Sequence, residues 1–384
     1  MPYRMSSKER LLAALRREPV DHVPCYGSFN PLSEVQRRGR TWNFPWSPEA
    51  SEEDRITYQV ETLGLDQVVH VGVGATRQAA GVTARTWVEE GLLHKTYATP
   101  AGELHAAVRY NDLWPHGQDI PLYSDFNIGH FAEPWIRTHA DLACLKQVQV
   151  LREVDEILTE ARERLKGSFS LARKHRLAVM GNAGMGLTGA QHLFGAADLC
   201  MMTLDQPDLV DAYLEHEHRI NLRQIAVMGA LGVDIIGRNG FYETADFYSP
   251  PMLERFLAGR LTAEADAAHG SGTVVAYTAH TGVMPILGHL SRLPVESIRG
   301  LDIAFKDADI RAIRDRLAPT KAFWIGPSST YHIWNGPEAT REAVRQVFEC
   351  FGKRGLILSQ CVSSHSIMPW DSTVAMIEEW KRLR

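Results

Sequence analysis

The chain has 384 residues, 45% hydrophobic and 23% charged, with a formal net charge of −5; that is length for a large core, without the basic excess that draws nucleic acid. No apolar run reaches the about 18 residues of a membrane span, and the opening MPYRMSSKER has no apolar signal-peptide core. Cysteines at 25, 144, 200, 350 and 361 are odd in number and scattered, which excludes a disulfide framework and fits a reducing cytoplasm.

Ser6-x-x-Glu9 before RLLAAL is a capping-box pattern and predicts an opening helix. DHVPCYG and LDQVVHVGV follow as short extended runs, and residues 83–110 hold two extended runs around TPAG, read as a β-hairpin outside the main rhythm. Over residues 150–166, Leu151, Val154, Ile157, Leu158, Ala161 and Leu165 share one face, so the spacing predicts an amphipathic helix. From there strands and helices alternate. The apolar runs are LAVMGN, VDIIGR, TVVAYT, SIRGLD, AFWIGP and LILSQC, with helices starting near Pro207, Ser249-Pro250, Pro337 and Asp371.

With HVPCYG and DQVVHV there are eight such runs, the number that closes a (β/α)8 barrel. The expectation is one α/β domain over residues 1–384, a TIM barrel with an N-terminal helical segment and the inserted hairpin; an open doubly wound sheet is the alternative. Barrel sites lie at the carboxyl ends of the strands. Those ends offer Tyr26, Ser28, Asn30, His70, Asn182, Arg238, Asn239, Tyr242, Glu243, Tyr277, His280, Asp302, Ser328, Gln360, Cys361 and His365. So many polar groups in one place argue for an enzyme.

GMGLTG (184–189) matches G-x-G-x-x-G but is not followed by a strand ending in an acid, so it reads as a glycine-rich strand-to-helix loop rather than a dinucleotide site. EHEH (215–218) fans around a helix and reads as a solvated charged face. Glu243, His280 and Cys361 stand at three different strand ends; a carboxylate, an imidazole and a thiolate can bind zinc and leave a fourth position open. The competing reading is structural: Glu243 pairs with Arg238, His280 bonds to backbone and Cys361 is buried.

Several segments, in order, resemble the uroporphyrinogen decarboxylase superfamily: SSKERLLAALRREPVDHVPCYG, TYATPAGEL, LFGAADLCMMTLDQPDLVDAYL, YSPPMLERFL and GPEATREAVRQVFECFGKRGLILSQC. The similarity is strongest to its corrinoid-dependent, O-demethylase-like methyltransferases and spans nearly the whole chain. It implies a (β/α)8 barrel. Members with a zinc site often carry H-x-C-G at the strand end near 280; this chain has Ala279-His280-Thr281-Gly282, so the usual ligand positions are Ala279 and Thr281, while Cys361 keeps the last one. Corrinoid-dependent members acting on methoxylated compounds vary their ligands more widely, so the resemblance leaves room for a Glu243, His280 and Cys361 zinc set. It also implies a small O-methyl donor, methoxylated aromatics included, and a corrinoid on a separate partner protein, since no corrinoid-binding D-x-H-x-x-G motif is visible. In this reading His280 and Glu243 act in catalysis, and Tyr242, Tyr277, Arg238 and Asn239 line the donor pocket. The loop CYGSFNPLSEV lacks the arginines of true porphyrinogen decarboxylases, which ranks decarboxylation second. A non-catalytic member binding a tetrapyrrole or a partner is the third reading.

Overall fold

A computed structural model describes residues 5–27, 44–47, 49–361 and 369–384; Ser28, Asn30 and His365 lie outside the described residues. In chain order the strands of the two larger sheets are β1 (Val68–Val71), β2 (Thr83–Glu89), β3 (Leu92–Thr99), β4 (Gly102–Arg109), β5 (Phe131–Glu133), β6 (Ala178–Asn182), β7 (Ile235–Asn239), β8 (Val274–Thr278), β9 (Ser297–Asp302), β10 (Ala322–Gly326) and β11 (Leu356–Leu358). The helices that position the site are α1 (Ser7–Leu15), α2 (Gly186–Phe194), α3 (Pro207–Leu231), α4 (Gly259–Gly270), α5 (Pro337–Phe351) and α6 (Trp370–Leu383). No helix among the described residues is long and apolar enough to cross a membrane.

The main sheet has seven parallel strands in the order β1-β6-β7-β8-β9-β10-β11. The run expected as a further strand over 22–27 narrows to one parallel bridge, Cys25 with Leu358. Around it, Leu358 N–H donates to the Pro24 carbonyl (2.9 Å), Tyr26 N–H to the Leu358 carbonyl (2.8 Å) and Asp66 N–H to the Cys25 carbonyl (2.8 Å). Residues 24–26 thus touch both the last strand and the lead-in to the first. Proline at 24 has no N–H to give a ladder, which is one reason the pairing is so short.

The hairpin expected over 83–110 is a meander of three strands, joined by β5 into an antiparallel sheet in the order β2-β3-β4-β5. Glu90 and Gly91 both take positive φ (48° and 77°), the turn that splits the first extended run in two. The helix predicted over 150–166 is shorter, Val154–Arg164, because Val150 and Leu151 pair with Thr76 and Arg77 instead.

Period-two alternation divides the sheet residues between two cores. Val68, Ala178, Met180, Ile235, Val274, Ala276, Trp324 and Ile357 face inward and pack on Leu11, Ala14 and Leu15 of α1. Their alternates, among them Val69, Val179, Ile236, Val275, Tyr277, Ile298, Phe323, Leu356 and Leu358, belong to the larger outer core. Helix α1 plugs the bottom of the curled sheet. Its capping box is present, Ser6 accepting from Glu9 N–H while Glu9 accepts from Ser6 N–H. Arg10 then ties the helix down, bonding Asp21 (2.6 Å) and the buried Asp66. Asp66 also accepts from Cys25 N–H (3.2 Å), so one cation links the plug, the 24–26 segment and the entry to β1.

Removing Arg10 leaves Asp66 as a buried charge without its cation. Arg10→Met is therefore expected to destabilise the chain by about 3–5 kcal/mol, read by denaturant unfolding, and Asp21→Asn, at a more exposed partner, by less. Equal stability of Arg10→Met and wild type would contradict this role.

Candidate active site

The inner core fixes which polar residues enter the mouth. Counting on by twos from Val68, Ala178, Ile235 and Val274 leads to His70, Asn182, Asn239 and Thr278. Thr278 is paired with Arg299 across β8 and β9, which puts Arg299 on the same inner face. His280 follows two residues beyond Thr278. These side chains contact one another. Arg299 donates from Nε to Thr278 Oγ1 (2.6 Å) and from Nη2 to Asn239 Oδ1 (3.1 Å) and Asn182 Oδ1 (3.5 Å). Tyr26 Oη lies 3.1 Å from His70 Nε2 and packs edge-on to Trp324. His70 and Asn182 are exposed and Tyr26, Asn239 and Arg299 half-buried, though each is enclosed by the sheet on most sides, as in a concave mouth that solvent enters. That enclosure, helped by the Arg299 charge, pushes the His70 imidazole down to about 4.

His280 is held at the rim by β9. The register of β9 with β10 slips between Arg299 and Asp302, a bulge of the kind that re-aims groups beside active sites. It turns the Gly300 carbonyl toward His280 Nδ1 (2.5 Å) and Cys361 Sγ (3.0 Å). A carbonyl only accepts, so Nδ1 carries the proton and Nε2 the lone pair. Gly300 has φ +76°, and a Cβ there would meet His280 Cε1 at 3.0 Å; glycine is required for both reasons. Phe241 stacks on the imidazole, 5.0 Å between ring centres at 13°. A cavity of about 260 Å³ opens beside it, lined by His280, Asp246, Met284, Leu301, Asp302 and Phe305. Burial lowers the His280 pKa, the Gly300 bond raises it, and the Arg299 charge lowers it again, with a net downward shift. Burial likewise pushes the Cys361 thiol up, and Asp302 adds to this, so Cys361 is a neutral thiol.

The three residues expected to share a zinc do not converge. Cys361 Sγ is 3.7 Å from His280 Nδ1, but that nitrogen is the one committed to Gly300. Glu243 lies behind the sheet: its carboxylate accepts from Tyr277 Oη (2.6 Å), Leu187 N–H (2.9 Å) and Arg238 Nη2 (3.2 Å). Among the described residues no group of three His, Cys, Asp or Glu side chains is placed to hold a metal. The donors as placed do not fit the expected zinc site.

Arg238 and Tyr277, expected to line a donor pocket, also point outward, because each is one residue out of phase with the inner set. Arg238 binds Glu243 and, from Nε, Glu264 of α4 (3.2 Å); Glu264 is further bonded by His218 (2.8 Å) and Asn221 (3.0 Å). Tyr242 reaches Asp125 at 3.3 Å above the rim. Of the four expected pocket residues, Asn239 alone is on the inner wall.

The same outer layer corrects the reading of EHEH. Glu215 is exposed, but His216 and Glu217 are buried. Glu217 accepts from Met185 N–H (2.6 Å) and Gly186 N–H (3.0 Å). With Glu243 on Leu187 N–H, protein carboxylates take the free N–H groups at the start of α2. A dinucleotide phosphate would need those donors, so GMGLTG is a structural turn.

Strand ends alone do not single out Arg299. The available signal is a cation in the middle of SIRGLD, a strand whose flanks are apolar.

No protein-family description matches the chain, and no curated protein sequence matches it. Among solved structures, a methyltransferase from Methanosarcina mazei is similar over 98% of this chain and 99% of its own, at 17% identity and a TM-score of 0.57. A B12-independent methionine synthase from Shewanella sp. W3-18-1 covers 94% and 98%, at 11% identity and a TM-score of 0.43. D-psicose 3-epimerase from Clostridium cellulolyticum H10 covers 60% and 84%, at 10% identity and a TM-score of 0.37. The first likeness is one of fold, and it agrees with the fold that the sequence resemblance implies.

His280 is expected to half-protonate below its ordinary 6.5. In Arg299→Gln its pKa should rise, because the lost positive charge no longer opposes the imidazolium. An NMR titration of the ring nitrogens checks both; a value above 6.5, or no change in the variant, would contradict the placement of Arg299 beside it.

Proposed function

We propose that this chain is a methyltransferase: it removes the methyl group of a small O-methyl donor, such as a methoxylated aromatic, for transfer to a corrinoid carried by a partner protein. The observation that carries the reading is His280: at the carboxyl-end mouth of a curled parallel sheet, its Nδ1 is locked to the Gly300 carbonyl and its Nε2 is left for chemistry. Support also comes from the fold shared with a methyltransferase over 98% of the chain and from the sequence resemblance. We read the sheet as a closed barrel whose eighth position is the 24–26 segment, with the mouth as its active end.

The corrinoid, when bound, supplies the nucleophile that takes the methyl group. What this chain must supply is a proton for the departing oxygen, since an alkoxide or phenoxide leaves poorly. In the resting site burial and Arg299 keep His280 neutral. An anionic donor that offsets the Arg299 charge raises the proton affinity of Nε2, and the imidazolium so formed gives its Nε2–H to the oxygen as the carbon–oxygen bond breaks. Phe241 holds the ring flat, and Gly300 holds its tautomer. No step is assigned to a metal, and Glu243 serves as a positioning residue behind the sheet.

The test is methyl transfer from a set of methoxylated aromatics to free reduced cobalamin, followed by the cobalt absorbance change. Wild type should form methylcobalamin with at least one donor. His280→Gln should lose about 100-fold or more of that rate while unfolding at nearly the wild-type temperature. Absence of methyl transfer with every donor, or an unimpaired His280→Gln enzyme, would overturn the reading.

A further inference from the structure

The two buried arginines among the described residues are matched by carboxylates: Arg10 by Asp21 and Asp66, and Arg238 by Glu243 and Glu264. Arg299 is not. Its partners are the Thr278 hydroxyl, the Asn182 and Asn239 amide oxygens and, from Nη1, the Met180 sulfur at 3.7 Å. Among the described residues no acid pairs with it, and enclosure without a counter-charge lowers the guanidinium to about 10. A protein seldom keeps a lone cation in such a place unless something else supplies the anion.

The groups around Arg299 are arranged to give hydrogen bonds. A guanidinium has no acceptor, so both asparagines must turn Oδ1 toward it, which leaves their Nδ2–H groups to give hydrogen bonds elsewhere. Neither Nδ2 is engaged by a described residue. Between β6 and β9, β7 presents Gly237, where a Cβ would meet Asn182 Oδ1 at 2.2 Å and Arg299 Nη2 at 3.0 Å. The glycine keeps the cation and the amide in place. The exposure of Asn182 and half-exposure of Arg299 show that solvent reaches this pair from the mouth.

We propose that Arg299, Asn182 and Asn239 form a carboxylate-binding subsite on the inner wall. The planar guanidinium fork matches a carboxylate. One cation with neutral amides suits a single negative charge; the dianionic phosphate would want further cations or a helix N-terminus, and that of α2 is already taken by Glu217 and Glu243. Resting on the methyltransferase reading, the donor is then a small O-methyl carboxylic acid, with its acid group on Arg299 and its methoxy group toward His280.

The test is calorimetric binding of acetate, benzoate and 4-methoxybenzoate, with methyl 4-methoxybenzoate as the uncharged control and inorganic phosphate as the competing anion, on the full chain without corrinoid. Wild type should prefer 4-methoxybenzoate to its ester and to phosphate. Arg299→Gln should weaken the acids roughly 10- to 100-fold and the ester less than about twofold, with Arg299→Lys in between. Failure of all three acids to bind wild type, equal binding of acid and ester, or tighter binding of phosphate would overturn the carboxylate assignment, and none of these comparisons needs a variant to fold. Charge-dependent acid binding with no methyl transfer would leave the subsite standing and overturn the methyltransferase reading alone.

Discussion

The alternation of side chains along β8 sorts the chemistry of this protein. Val274, Ala276 and Thr278 face one core, and Val275 and Tyr277 the other. One residue of phase separates a hydroxyl that holds the mouth arginine from a phenol that holds a carboxylate behind the sheet. A slip by one residue would exchange the two sets, and the burial of both faces makes such a slip costly. The pairing of β8 with β7 and β9 therefore decides that Asn239 and Arg299 meet on the half-buried wall of the mouth while Arg238 and Glu243 meet in the buried layer behind the sheet.

The outer set is built for position. Glu243, Glu264, Arg238, His218, Asn221 and Tyr277 satisfy one another, and Glu243, with the neighbouring Glu217, takes the N–H groups that open α2. Pairs of this kind add little net stability but are destructive to break. They fix the glycine turn after β6 and the segment after β7, which carries Phe241 to the face of His280. The inner set is the reverse: among the described residues it is incompletely paired, reached by solvent and without a carboxylate on Arg299. Groups whose needs the fold itself does not meet are those left for a ligand.

Much of this was legible in the chain. Apolar period and length located the strands of the main sheet, Ser6 and Glu9 marked the first helix, and Pro207 and Pro337 marked the starts of α3 and α5. Strand ends also brought His70, Asn182, Asn239 and His280 into view. Phase was harder. Arg238 near the end of one apolar strand and Arg299 in the middle of another look alike in sequence, and only register and the packing of α1 tell which one faces inward. The meander was hidden because its turn is Glu90-Gly91, with a glutamate at positive φ where Asn or Asp would signal the turn. Glu217 was hidden because its partners are backbone N–H groups that the chain brings from 31 and 32 residues away.

Two neighbouring residues of β8 give the most direct test. Thr278→Val removes the Arg299 bond from the inner face without changing shape, and Tyr277→Phe removes one donor from Glu243 on the outer face. Turnover per folded molecule and unfolding free energy should be measured for both. Thr278→Val is expected to lose turnover at near wild-type stability, and Tyr277→Phe to lose about 1–3 kcal/mol of stability at near wild-type turnover. The opposite pattern, an inactive Tyr277→Phe and a fully active Thr278→Val, would contradict an active site on the inner face.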